Sequence, residues 1–199
     1  ASSLCKKFPS HPLSWSVLGA VLRKTGRVEL ALSPCRKSAL LSPDDAAVHY
    51  NLGITLKELG RLEEAESSYR KAIALNPDFA EAHNNLGITL QELGKLEEAQ
   101  ASYTQAIELN PSFVLAHSNL GVTLQELGKL DDAVASYAQA IALKPDYAEA
   151  YVNLSIAIKN ARFNSSNRKL YPALTQLLTA GNYTRPRDVA KGILSLLKR

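Results

Sequence analysis

The sequence predicts an all-α fold, a stack of antiparallel helix pairs, on three observations. Residues 43–76, 77–110 and 111–144 align without a gap, and each neighbouring pair is identical at 23 of 34 positions. A fixed period of this size marks a repeat array whose units bury their apolar faces only against one another. Each copy also holds two segments with apolar residues at helical spacing. In the second copy these are 80–93, with Leu86, Leu90 and Leu93, and 96–109, with Leu96, Ala99, Tyr103 and Ala106. Breakers separate them: Gly94 stands where a left-handed C-cap ends the first helix, and Pro111 stops the second.

The units follow in order. Residues 1–8 read as the tail of a preceding repeat, with Pro9 in the proline slot. Residues 9–42 form a degenerate copy that keeps register through Trp15, Leu18, Gly19, Leu22, Gly26 and Ala31, although Cys35 replaces a tyrosine and Ser38 an alanine. Pro34 falls inside its second helix, where the missing N–H is expected to kink or shorten that helix. After the three clear copies, 145–160 supplies a further first helix, with Tyr151, Asn153, Leu154 and Ile158 in register and Ser155 in the glycine slot. The pattern is then lost. Residues 161–168 read as a loop, 170–179 and the stretch from Pro186 as helices, and 161–199 together as a divergent helical cap or a linker to a missing domain. A chain that opens inside a repeat and contains no methionine is expected to be a piece of something longer.

The positions that recur are His49, Asn51, Leu52, Gly53, Leu56, Gly60, Ala65, Tyr69, Ala72 and Pro77, with their equivalents 34 and 68 residues later. This pattern resembles the tetratricopeptide repeat. The resemblance implies a right-handed superhelix whose first helices line a concave surface. The residue types suit it physically: Gly53, Gly87 and Gly121 lack a side chain where paired helices must approach, Ala65, Ala99 and Ala133 supply the small facing surface, and tyrosines fill the remaining gap.

Composition narrows the function classes. The 199 residues are 46% hydrophobic and 21% charged, as in a packed protein, and no apolar run is long enough to span a membrane. Without a signal-peptide core, and with Cys5 and Cys35 forming neither a disulfide framework nor a metal cluster, a cytoplasmic setting is expected. The net charge of +4 conceals an asymmetry. Residues 1–42 carry +6, 43–158 carry −10 and 159–199 carry +8. With no aromatic–basic interleaving, the basic ends read as solvated surface or docking sites for neighbouring parts of a larger polypeptide, and a nucleic-acid partner is not expected.

Nothing in the pattern converges on catalysis. His49, His83 and His117 occupy one equivalent place per repeat, which Trp15 and Tyr151 hold in the outer copies, so the slot reads as packing of a flat ring. Glu63-Glu64, Glu97-Glu98 and Asp131-Asp132 open each second helix, where negative charge suits the helix dipole. No enzyme activity, metal or cofactor is expected.

The informative polar positions are Asn51, Asn85, Asn119 and Asn153. They resemble the asparagine ladder in the repeat arm of O-GlcNAc transferase, which holds the backbone of an extended peptide. An amide offers donors and an acceptor, so it can pair with peptide groups whatever their side chains. The same face should present Tyr50, Ile54 and Lys57; Asn84, Ile88 and Gln91; Ser118, Val122 and Gln125; and Val152, Ile156 and Lys159. Relatives that clamp a chaperone's C-terminal carboxylate place basic and amide groups where this chain has Tyr50 and Ile54, then Asn84 and Ile88, so that clamp is missing. The expected function is a protein-interaction scaffold binding a peptide or partner domain in the groove. The alternative is the substrate-recruiting arm of a larger glycosyl-, sulfo- or methyltransferase.

Overall fold

The structure is a computed structural model that describes residues 6–160, with Lys159 and Asn160 described by backbone alone. The expected cap or linker at 161–199 and most of the 1–8 tail lie outside the described residues. From Pro12 onward nine helices and no strand occur among the described residues: α1 Pro12–Lys24, α2 Val28–Leu41, α3 Ala46–Glu58, α4 Leu62–Leu75, α5 Ala80–Glu92, α6 Leu96–Leu109, α7 Val114–Glu126, α8 Leu130–Leu143 and α9 Ala148–Asn160. The chain divides after Lys95 into two compact units, 1–95 and 96–199.

In the first unit α1 pairs with α2 and α3 with α4, and α2 and α4 each pack on the next first helix in turn. In the second, α7 pairs with α8, while α6 packs on α7 and α8 on α9. First helices also touch one another within each unit, α1 with α3 and α3 with α5, then α7 with α9. A continuous first-helix face is the result in each unit.

The turns inside the pairs share one construction. Gly60 and Gly128 take φ of 71° and 73°, which costs a side-chain-bearing residue about 1–2 kcal/mol. With the chain turned left-handed there, the Arg61 N–H reaches the Leu56 carbonyl at 2.9 Å and the Gly60 N–H reaches that of Lys57 at 2.9 Å. These two bonds satisfy carbonyls that a helix end would otherwise leave open. Lys129 and Gly128 repeat them on Leu124 and Gln125.

Packing explains the glycines on the first helices. A methyl group at Gly53 would lie 2.7 Å from the Tyr69 ring, and one at Gly121 would lie 2.6 Å from Tyr137. Both tyrosines are fully buried with Ala65, Ala72, Ala133 and Ala140 around them. At Gly19 the facing residue is the smaller Cys35, so the degenerate copy keeps the approach with a different filler. Pro34 does not shorten α2, which runs fourteen residues like α4, α6 and α8. Its ring is buried, and Ala31, Cys35 and Ser38 hold the helix to the core from both sides of it. The Ser38 hydroxyl adds a tie by donating to the Pro12 carbonyl at 3.0 Å.

Candidate functional site

The ring slot at the start of each first helix is a staple. Nε2 of His49, His83 and His117 lies 2.8, 3.0 and 3.0 Å from the carbonyls of Pro43, Pro77 and Pro111. Trp15 Nε1 donates to Pro9 at 2.8 Å and the Tyr151 hydroxyl to Pro145 at 3.1 Å. A carbonyl only accepts, so each histidine carries its proton on Nε2 here. The slot therefore needs a flat ring with a donor at its far edge, which ties the incoming turn to the helix. Among the described residues no three His, Cys, Asp or Glu side chains form a group that could hold a metal.

In the first unit the candidate residues lie on α3 and α5. Asn85 Nδ2 donates to the Tyr50 hydroxyl at 3.0 Å, and Asn84 Nδ2 donates to Asn85 Oδ1 at 3.4 Å. Tyr50 rests against Phe79 with ring centres 4.7 Å apart, and its ring centre is 6.0 Å from that of Tyr69. Burial and then the Glu81 carboxylate push the Tyr50 hydroxyl above its ordinary pKa, against the bond from Asn85. Lys57 does not stand free: its ammonium is 3.3 Å from Glu92, and one repeat earlier Arg23 is 3.8 Å from Glu58. Asn51 and Ile54 are half-buried beside them, as are Ile88 and Gln91 on α5.

In the second unit the residues lie on α7 and α9. Asn119, Val122 and Gln125 are half-buried, as is Asn153, while Val152 and Ile156 are exposed. Gln125 Oε1 accepts from the Tyr137 hydroxyl at 3.4 Å. Burial raises the Tyr137 pKa, and the carboxylates of Glu126 and Glu149 raise it further. The Lys159 side chain lies outside the described residues.

Two expected groove residues are corrected. Asn84 is 4% exposed and Ser118 1% exposed, so neither presents a free edge to a ligand. For Ser118 part of the reason is the aromatic residue just before the next first helix. Phe79 lies over Tyr50, and Tyr147 hydrogen-bonds Ser118 while packing on the core. The aromatic residues Phe79 and Tyr147, in the same slot two repeats apart, are the signal that points to this cover.

A buried threonine underlies the asparagine register. Thr55, Thr89 and Thr123 are fully buried and donate to the carbonyls of Asn51, Asn85 and Asn119 at 2.9, 2.9 and 3.1 Å. Each asparagine is thus half-buried on the helix face, one turn before a threonine turned inward.

Comparison with family models decides the assignment. The model described as "TPR repeat" matches residues 55–94, and two described as "Tetratricopeptide repeat" match 35–67 and, in overlapping copies, 84–148 and 119–158. The chain belongs to the tetratricopeptide-repeat family. No curated protein matches it. Among solved structures the fold is similar to that of YrrB, described as a TPR protein with an unusual peptide-binding site. That alignment has 21% identity and a TM-score of 0.70, covering 90% of this chain and 91% of that one. Similarity to PilF of Pseudomonas aeruginosa has 22% identity and a TM-score of 0.71, covering 94% and 87%. The first TPR domain of Spaghetti (RPAP3), solved with the HSP90 peptide SRMEEVD, aligns at 26% identity and a TM-score of 0.55, covering 66% and 94%. At these identities the solved structures speak for the tetratricopeptide fold.

Proposed function

We propose that the chain is a non-catalytic protein-interaction scaffold that holds an extended peptide against its first-helix faces. The observation that carries this reading is the state of Asn85. Its amide is half-buried and oriented by Asn84 and Tyr50, which use one N–H and engage the carbonyl oxygen. An amide has a second N–H and a second lone pair, enough for one peptide group. That YrrB and the Spaghetti domain are described with peptide sites supports a scaffold role in the same fold. The terminal-carboxylate chemistry of a chaperone tail is not what this face offers, because Tyr50, Ile54 and Ile88 bring no cation and Asn84 is buried.

The test pans a random peptide library on the full chain and measures the selected peptides against two double variants, Asn51→Ala with Asn85→Ala and Asn119→Ala with Asn153→Ala. Each lost amide should remove about 0.5–1.5 kcal/mol of binding, so the pair in a unit that holds peptide should weaken affinity by about tenfold. Tyr50→Phe serves as control, since it breaks the internal bond to Asn85 and leaves the amide. If neither double variant weakens binding, or no peptide is selected, the reading fails.

A further inference from the structure

In the first unit α1 and α3 are buried alike along their whole length except at three positions. Val17 and Val21 are 39% and 45% exposed and Leu22 is half-buried, where α3 has Asn51 half-buried and Thr55 and Leu56 buried. The Val21 slot holds Thr89, Thr123 and Ala157 on the later first helices, all fully buried. On α3 the cover comes from the preceding second helix: α2 packs there, and Cys35 Sγ lies 3.3 Å from Thr55 Oγ1. α1 therefore presents an open slot of the shape a helix fills. Leu13, exposed one turn before Val17, lines a hollow of about 300 Å³ with Phe8, His11 and Ser14. A repeat face that stays in water needs a polar surface. Here valines stand in the open where α3 has an asparagine and a covered threonine.

Charge selects the occupant. Between covered copies a cation of one first helix meets the acid that ends the next: Arg23 lies 3.8 Å from Glu58, and Lys57 3.3 Å from Glu92. On α1 the place of that acid belongs to Lys24, which is exposed and makes no ion pair among the described residues. Arg27, in the turn that follows, is exposed and unpaired in the same way. Residues 1–42 carry +6, with Glu29 as their one acid. The stretches outside the described residues hold no acidic run, since 1–5 have no charged side chain and 161–199 only Asp188. A further repeat of this pattern would set arginine, lysine or glutamine opposite Lys24, as Arg23, Lys57 and Gln91 show. Two copies of the chain meeting there would press two basic segments together. A separate helix that bears carboxylates beside an apolar stripe satisfies both the lysine and the valines.

We propose that the open side of α1 docks an acidic amphipathic helix of a partner protein, with aliphatic side chains on Leu13, Val17, Val21 and Leu22 and a carboxylate on Lys24. This surface stands apart from the peptide reading of the asparagines. Its occupant is helical and acidic, whereas the asparagines address the backbone of an extended chain.

The experiment uses the full chain and three labelled, alanine-rich helical peptides that share a leucine stripe and carry Glu, Gln or Lys beside it. Fluorescence anisotropy should show the glutamate peptide binding at least about tenfold tighter than the glutamine one, and the lysine peptide not binding. Rising ionic strength should weaken the glutamate peptide. Lys24→Glu should invert the order, so that the lysine peptide binds best. Lys37→Glu makes the same change of net charge on α2, at the register of the exposed Lys71, and should preserve the order. Val17→Asn with Val21→Thr installs the residues of α3 and should cut affinity about tenfold. Thermal unfolding should move little, because both valines are exposed. Equal effects of Lys24→Glu and Lys37→Glu would reduce the preference to net charge and overturn the proposal. Failure of all three peptides, or unchanged binding to the valine variant, would do the same. Self-association in sedimentation that the valine variant abolishes would give the face to a second copy and also overturn it. Asn51→Ala with Asn85→Ala should leave helix binding intact. A loss there would move the peptide to the asparagine groove, against this proposal and not against that reading.

Discussion

In the first unit the links between successive repeats are ionic. Lys57 reaches Glu92, Arg23 reaches Glu58, and Lys95 reaches Glu66 at 2.8 Å. In the second unit two of these registers hold amides: Gln125 stands where Lys57 does, and Gln100, bonded to Lys129, stands where Glu66 does. The helices, glycines and buried tyrosines are alike, so the difference is confined to polar side chains at the edges of one frame. It still has a consequence inside. Tyr137 donates to Gln125, whereas the Tyr69 hydroxyl, equally buried, has no hydrogen-bond partner among the described residues. Lysine offers no acceptor, and Lys57 is turned toward Glu92. Charging the rail in the first unit leaves a buried hydroxyl unsatisfied.

The largest expected effect tests whether the frame is common to both units. Gly53→Ala and Gly121→Ala each drive a methyl group into a rigid, buried ring. Overpacking of this kind costs about 1–3 kcal/mol, only partly offset by the better helix propensity of alanine, about 1 kcal/mol. Both variants should lower the thermal midpoint, and by similar amounts. A loss in one and a gain in the other would show that the tyrosine slots differ in packing as well as in polarity, and the comparison would break.

A smaller effect should separate the tyrosines. Tyr137→Phe removes a hydrogen bond, a loss of about 0.5–1.5 kcal/mol, at the low end given its 3.4 Å length. Tyr69→Phe removes a hydroxyl that is buried without a partner, so it should be neutral or stabilising. Chemical denaturation of the two variants reads the sign directly. Lys57→Gln sharpens the comparison: in that background Tyr69→Phe should become costly, and a double-mutant cycle isolates the coupling. If Tyr69→Phe destabilises the parent chain as much as Tyr137→Phe does, the account of the orphaned hydroxyl is wrong.

These residues also show what the sequence makes legible. Helix limits and turns follow from Gly60, Gly128 and the apolar spacing, because local chemistry repeated at a fixed period determines them. The close approach at Gly53 and Gly121 is likewise readable, since only a missing side chain fits there. The staple is half-legible. Trp15, His49, His83, His117 and Tyr151 share flatness, but they also share an edge donor, and that second property is the one bonded to the proline carbonyl. Burial of Asn84 and Ser118 is harder to read, because it depends on neighbouring elements beyond their own helices, as Tyr147 shows for Ser118. The fates of Tyr69 and Tyr137 turn on one side chain twelve residues earlier, and for Tyr69 that side chain, Lys57, is drawn to a partner in another repeat.

The smallest expected effect concerns the rail itself. Lys95, with Arg70 assisting, holds the Glu66 carboxyl below its usual pKa against the opposing pull of burial. A carboxylate whose folded pKa is depressed contributes stability above its unfolded value and loses it as pH falls through the folded one. The Glu66–Lys95 link should therefore act fully at neutral pH and fade below about pH 4.3, the ordinary glutamate value. Gln100 is a neutral amide, so its link to Lys129 has no carboxylate to protonate in acid and should be less sensitive to salt than an ion pair. Lys95→Ala should cost about 0.2–1 kcal/mol at neutral pH and low salt, because Glu66 is 13% exposed but Lys95 is 42% exposed. For a chain of this size that is at most a few degrees in thermal midpoint. The cost should shrink toward zero near pH 3 and also in high salt at neutral pH. Lys129→Ala should show a similar or smaller cost that changes little under either condition. Measuring each variant against the parent at every pH cancels the titration of the other carboxylates. If both lysine variants follow the same pH and salt curves, charge is not what distinguishes the links, and the two rails are equivalent.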